Sequence, residues 1–210
     1  MTPSCERPRV AGDREQEILT ATLQVLAEVG YDRLTMDAVA ASAKASKATL
    51  YRRWTNKVTL VIEALQQAKT PVDVPDTGSL REDLITAFCG AGGLADPHSV
   101  AAFSSVLTAI ARDPEFAAAF RRDVLGPKLA FSRQIWERAR DRGEIRDDLD
   151  VDLLEPALAG IVLHRVFILG ETPTVDLISR VVDQILLPAA TSDPAGPHHS
   201  PSHEEAEATP

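Results

Sequence analysis

No proline interrupts residues 9–70. Proline locks φ and removes a backbone donor, so a stretch this long without one is free to run as helix, and the apolar spacing says that it does. Ile18, Thr22, Val25, Leu26 and Val29 recur at helical spacing behind Asp13 and Gln16, a capping-box pattern, and Gly30 supplies a stop. Thr35 is a good N-cap for a second, short helix with Met36, Val39, Ala40 and Ala43 on one face. Lys44-Ala45-Ser46 breaks the pattern. Ser46 then caps a helix with Leu50 and Trp54 as its apolar stripe, and Asn56 caps another that carries Val58, Val61, Ile62 and Leu65 to about Lys69.

Beyond the turn-forming loop from Pro71 to Gly78, the breaks and spacings predict helices at 79–90, 98–112, 114–142 with a kink at Gly126-Pro127, 151–169 and 174–187. No strand pattern emerges, so the fold class is all-α. With 44% hydrophobic residues over 210, the chain has enough to bury a sizeable core, which excludes disorder throughout. From Pro188 onward the composition is Ala, Pro, Ser, His and Glu without periodicity, the pattern of a disordered tail over 189–210. Cys5 and Cys89 lack metal-ligand spacing and fit a reducing cytoplasm. The N-terminus has no apolar run, which predicts no signal peptide. The most apolar segment, 157–170, contains His164 and Arg165 and is too short to span a bilayer. A cytoplasmic protein without membrane contact is expected.

The formal charge of -9 is unevenly spread. Residues 1–57 hold nine Lys/Arg against seven Asp/Glu, net +2, and residues 58–210 hold thirteen against twenty-four, net -11. No acid lies between Asp37 and Glu63, an interval carrying Lys44, Lys47, Arg52, Arg53 and Lys57. Such a run is either a polyanion contact or a solvated helix face. Two short helices joined by a three-residue turn, the second basic, have the geometry that lets one helix enter a DNA major groove. At about 100° per residue, Leu50 and Trp54 centre the buried face of 47–54, and Arg52, Ala48 and Thr49 oppose them. An arginine able to bridge guanine O6 and N7, a small alanine permitting close approach, and flanking hydroxyls and cations form coherent recognition chemistry.

The run Thr35-Met-Asp-Ala-Val-Ala-Ala-Ser-Ala43, then Ser46-Lys-Ala-Thr-Leu-Tyr-Arg-Arg-Trp54, then Asn56-Lys57, resembles the DNA-binding domain of TetR-type transcriptional regulators over roughly residues 13–65. The family usually has glycine after Ala43, where this chain has Lys44. The resemblance implies base contacts from Lys47, Ala48 and Arg52 and phosphate contacts from Thr49, Tyr51 and Lys57, with Arg53 able to serve either purpose; Thr35 and Lys44, the latter an added cation beside the groove, are further phosphate candidates. It implies four parts: an arm over 1–12, a three-helix helix-turn-helix domain over 13–57, a larger helical ligand-binding and dimerisation domain over 58–188, and the tail. The arm's Arg7 and Arg9, with Arg14, either reach along DNA or belong to a frayed terminus.

Stripes on the last two helices, Leu154, Leu158, Ile161, Val162, Val166 and Leu169 against Val175, Ile178, Val181, Val182 and Ile185, are wide for one helix pair. The resemblance implies an intersubunit four-helix bundle there, with Arg165 beside it; ordinary core is the competing reading. A ligand pocket needs apolar walls with a few polar groups, and Phe88, Cys89, Phe103, Leu107, Phe131, Ile135, Trp136, His164 and Phe167 are its candidates, or plain core. Gly90-Ala-Gly92-Gly93-Leu-Ala95 matches a dinucleotide fingerprint in letters only, because it follows a helix where a strand is required. His198, His199 and His203 beside Glu204 and Glu205 read as tail rather than as metal ligands. No catalytic constellation, cofactor or metal is expected. The reading is a dimeric regulator bound to a palindromic double-stranded operator, a repressor released by an unknown small apolar or aromatic effector. Its competitor is a helical ligand-binding or protein-interaction module that does not read DNA.

Overall fold

The computed structural model describes residues 11–67, 73–90 and 97–191, and among these every regular element is helical. The arm's Arg7 and Arg9, Gly92, Gly93 and Ala95 of the glycine motif, and His198, His199 and His203 lie outside the described residues.

Helix α1 (Ala11–Arg33) already includes Ala11, so Asp13 sits within its first turn, where its charge suits the positive end of the helix dipole, rather than at the cap. Gly30 takes φ +74° and interrupts the helix, and a single turn from Tyr31 to Arg33 follows. α2 (Met36–Ser42) buries Met36, Val39 and Ala40, and Thr35 caps it by accepting from the Ala38 N–H at 3.1 Å. α3 (Lys47–Arg53) buries Leu50 and is capped by Ser46, which accepts from the Thr49 N–H at 3.1 Å. α4 (Lys57–Gln67) starts where Asn56 Oδ1 accepts from the Thr59 N–H at 2.9 Å.

Then come α5 (Leu80–Cys89), α6 (Pro97–Arg112) and α7 (Pro114–Phe120), the last capped by Asp113. The expected kink at Gly126-Pro127 is a five-residue π turn, Arg121–Leu125, placed just before it. Pro127 has no N–H and its ring would collide with the Asp123 carbonyl, so the backbone widens, the Gly126 N–H reaches back to the Arg121 carbonyl, and α8 (Gly126–Asp141) begins. The freed Asp123 carbonyl accepts from Gln66 Nε2 at 2.8 Å, which fastens the end of α4 to this turn.

After α9 (Val151–Phe167) and α10 (Val175–Val181), a second π turn, Val182–Leu186, precedes Pro188 in the same way. The chain does not lose its order at Pro188 as the sequence suggested. α11 (Leu187–Thr191) continues with Ala190 fully buried, because the widened turn makes room for the Pro188 ring where the Gln184 carbonyl would otherwise collide with it.

Two hydrophobic cores result. The first joins α1–α4 to α6, α7 and the π turn, with Leu26, Val39, Leu50, Trp54, Leu60, Val106, Phe116 and Val124 among its members. The second joins α5, α8, α9, α10, the second π turn and α11 through Leu84, Trp136, Leu158, Val162, Ile178, Val182 and Ala190. The helix-turn-helix is therefore not packed by its own helices alone: Tyr31 of α1 stacks at a tilt on Phe116 of α7, with ring centroids 4.5 Å apart.

Candidate nucleic-acid interface

Leu50 and Trp54 anchor α3 in the first core, each essentially without exposure. Turning that face inward leaves Lys47, Ala48, Tyr51, Arg52 and Arg53 exposed and Thr49 half-buried. The outward surface of α3 is the one that the helical wheel marked for the groove. Thr35 lies exposed at the start of α2 beside it.

The turn between α2 and α3 resolves the missing glycine. Lys44 itself takes the left-handed conformation, φ +51°, the only non-glycine with positive φ among the described residues. The Ala45 N–H bonds to the Ala40 carbonyl at 2.8 Å, and the Lys44 carbonyl accepts from the Arg14 guanidinium at 2.6 Å. Arg14, grouped with the arm in the sequence, is thus a brace from α1 onto the turn, and it also pairs with Glu17.

The cations divide by what they hold. The Lys47 ammonium lies 2.6 Å from an Asp37 carboxylate oxygen, and that hydrogen bond raises its pKa above the ordinary lysine value. Arg53 is bonded at 2.8 Å to Glu63, lies 3.5 Å from Glu15, and rests 5.6 Å from the centre of the Trp54 ring. The other Glu63 oxygen accepts from Trp54 Nε1 at 2.8 Å, so one carboxylate fixes both side chains. Lys57 points inward: its ammonium is 4.2 Å from the centre of the Tyr31 ring and donates to the Tyr31 carbonyl at 3.2 Å. Tyr31 in turn donates its hydroxyl to Asp113 at 3.0 Å. Burial, and then Asp113, push the phenol pKa up. Bonding to the Phe116 N–H holds the Asp113 carboxyl below its usual range. Arg52 and Lys44 carry exposed cationic groups with no carboxylate partner among the described residues. Helical spacing reveals none of the roles of Asp37, Glu63, Tyr31 or Asp113, because their partners sit on other helices. The one local signal was that Asp37 and Glu63 bound the acid-free run.

The effector candidates are divided between the two cores. Phe103 packs against the first, Phe88, Cys89 and Phe131 pack against the second, and Ile135 and Trp136 lie inside the second. Leu107 and His164 are exposed and Phe167 is half-buried. Burial raises the Cys89 thiol pKa. A groove of about 730 Å3 runs between α1 and the turn after α2, lined by Arg14, Glu17, Thr20, Gln24, Ala43 and Lys44. A cleft of about 310 Å3 is lined by Arg133, Trp136, Arg140, Asp150, Val151 and Asp152. Of the pocket candidates, Trp136 alone lines either space. In the stripes assigned to an interface, Leu158, Val162, Ile178, Val181 and Val182 are buried within the chain's own second core, Ile161, Arg165 and Val166 are half-buried, and Ile185 is exposed. Arg165 forms a two-pronged pair with Glu171, 2.8 Å at each contact. Among the described residues no helix is long and apolar enough to cross a membrane, and no three His, Cys, Asp or Glu side chains gather as a metal site.

Two short capped helices, a left-handed turn and a rigidly seated second helix with a cationic outer face define a helix-turn-helix DNA-binding protein. Residues 18–64 match the family described as bacterial regulatory proteins, tetR family, and residues 74–185 match the tetracyclin repressor-like C-terminal domain. An HTH-type transcriptional regulator of Mycobacterium tuberculosis is 39% identical over 185 residues, covering 85% of this chain and 88% of that one. The DNA-binding transcriptional repressor TetR of Mycobacteroides abscessus is 36% identical over 176 residues, 83% of this chain and 92% of its own. Among solved structures, a TetR-family regulator from Mesorhizobium loti shares the fold with a TM-score of 0.62 at 20% identity, over 84% of this chain and 94% of that chain. The chain belongs to the TetR family of DNA-binding transcriptional regulators.

Proposed function

We propose that this chain acts in the cytoplasm as a homodimeric repressor of transcription, bound to a palindromic operator and released by a small apolar or aromatic ligand. The observation that carries the reading is the exposed outer face of a short helix locked by Leu50 and Trp54, where Arg52 is free to bridge a guanine beside the small Ala48 and Lys47 is held in place by Asp37. A relative that covers most of both chains is named a repressor, which supports the sign of regulation. Thr35, Thr49 and Tyr51 flank this face as phosphate partners with Lys44. Arg53 and Lys57 join them only by leaving Glu63 and Tyr31.

The arm is the segment before α1, the reading head is 13–57, and the effector and dimer part runs from 58 through the end of α11 at Thr191 instead of stopping at 188. The dimer surface takes the residues of α9, α10, the turn between them and the second π turn that the second core leaves uncovered. Leu153, Ile168, Leu169, Val175 and Ile185 are all large, apolar and exposed, and Ile161, Arg165 and Val166 flank them. The ligand enters among Phe88, Cys89, Phe103 and Phe131, which are half-buried and so retain surface for it, with Trp136 as a floor and Leu107, His164 and Phe167 at the margin. Release requires tighter ligand binding to the arrangement that does not fit DNA. The Gln66 bond to the Asp123 carbonyl and the Tyr31 bond to Asp113 are the ties through which α7 and the π turn pull on the head.

Sequencing the genomic fragments retained by the purified protein tests this reading. An inverted repeat is expected, and retention without any common repeat overturns the dimeric operator. Cys89→Trp, which fills the entry, should abolish release by an effector found in a ligand screen while leaving operator affinity within a few-fold. A normal response would place the effector elsewhere.

A further inference from the structure

Asp37 is a carboxylate set among the candidate DNA contacts of the head, paired with a cation at the start of α3. It stands in the first turn of α2, two residues after Thr35, and its side chain is more than half exposed. It holds Lys47, the first residue of α3, at 2.6 Å across a sequence separation of 10. Each end of the pair has a local reason. An acid is favoured in the first turn of α2, whereas a lysine in the first turn of α3 faces the positive end of that helix. Asp37 offsets the misplacement and fixes where the ammonium points. Tyr51, one turn on, is the other titratable group acting on Lys47.

We propose that Asp37 is a positioning residue that holds Lys47 off the DNA backbone, removing one cation per head from sequence-independent binding. This rests on the reading that α3 faces DNA. Non-specific affinity is set by the number of phosphates neutralised, and a cation already paired with a carboxylate releases no counterion from DNA. The grip on arbitrary sequence is thereby weakened in favour of groups that read bases, Arg52 above all.

The test is binding of the full chain to a random-sequence 30-base-pair duplex over a range of salt, for wild type, Asp37→Asn, Lys47→Ala and the double variant. Asp37→Asn should tighten binding about two- to five-fold per head, the range of an exposed ion pair. It should also steepen the slope of log K against log salt by about 0.9 per head. In the Lys47→Ala background the gain should shrink by about half or more, since only screened repulsion between Asp37 and phosphates is then relieved. Circular dichroism and thermal midpoints check that all four chains fold alike, as expected for exposed positions. An unchanged affinity and slope in Asp37→Asn, or an equal gain with and without Lys47, overturns the proposal. A wild-type chain whose affinity for any duplex ignores salt overturns instead the DNA-facing reading of α3.

Discussion

At the scale of single residues the head turns on Lys44. A left-handed conformation costs an L-residue free energy that glycine does not spend, and Arg14 stabilises the turn from a helix 30 residues away by binding the Lys44 carbonyl. Lys44→Gly should therefore raise stability by up to about 1 kcal/mol in thermal denaturation, net of glycine's greater freedom when unfolded. A fall in stability would mean that Arg14 alone had already removed the strain. The need for a special turn was legible, because a lysine stands where the sequence pattern calls for glycine. The brace was not legible, since nothing in the spacing links Arg14 to residue 44. The same holds for the cations. Composition counted five in the acid-free run, but only geometry separates Arg52 and Lys44 from Lys47, Arg53 and Lys57, which already hold partners.

At the scale of elements, what is local reads well. Thr35, Ser46 and Asn56 cap where the sequence put them, because a cap satisfies N–H groups only three residues away. Proline effects read less well. Both π turns lie upstream of their prolines, since the widening must occur where the ring would otherwise collide. The ties between elements were invisible to periodicity. Asp83 of α5, wholly buried, accepts from the Thr77 N–H and hydroxyl at 2.7 Å each and pairs with Arg142 at 3.1 Å just past α8. Leu80 N–H donates to Glu144 at 2.7 Å in the same corner. Removing Asp83 strands the loop N–H and leaves Arg142 without its inner partner. Asp83→Ala should cost about 3 kcal/mol in chemical denaturation, the range for breaking a buried pair. A loss below about 1 kcal/mol would show that Glu144 and Asp76, also near Arg142, suffice without it.

At the scale of the whole molecule two cores share one chain, and the second contains an unsatisfied group. Glu155 of α9 is buried, and among the described residues neither its Oε1 nor the buried Ser132 Oγ of α8 makes a well-formed hydrogen bond, although Ser132 lies close enough to Glu155 to favour its charged form. Burial raises the Glu155 pKa against the smaller opposing pull of Ser132 and Arg133, so folding favours its protonation relative to the unfolded chain. The sign follows. Its contribution is favourable below the unfolded pKa, about 4.3, and is lost as pH rises through the raised folded value. Glu155→Gln should be more stable than wild type by about 1 kcal/mol near neutrality, with the gap closing toward pH 4. A constant gap across that range would point to packing instead of charge. The head's basic face and the acidic remainder were both legible from charge counts along the chain. That the head's core is completed by α6, α7 and the π turn after them was not, because Phe116 and Val124 carry the same apolar pattern whichever core they join. The central claim is that α3 reads DNA through Arg52. Selection of binding sites from a random duplex pool, run in parallel with wild type and Arg52→Ala, tests it most directly. The account predicts an enriched inverted repeat for wild type, with Arg52→Ala losing about 1 to 3 kcal/mol on that site and its preference at one base pair in each half. Identical repeats and affinities for the two proteins would contradict it.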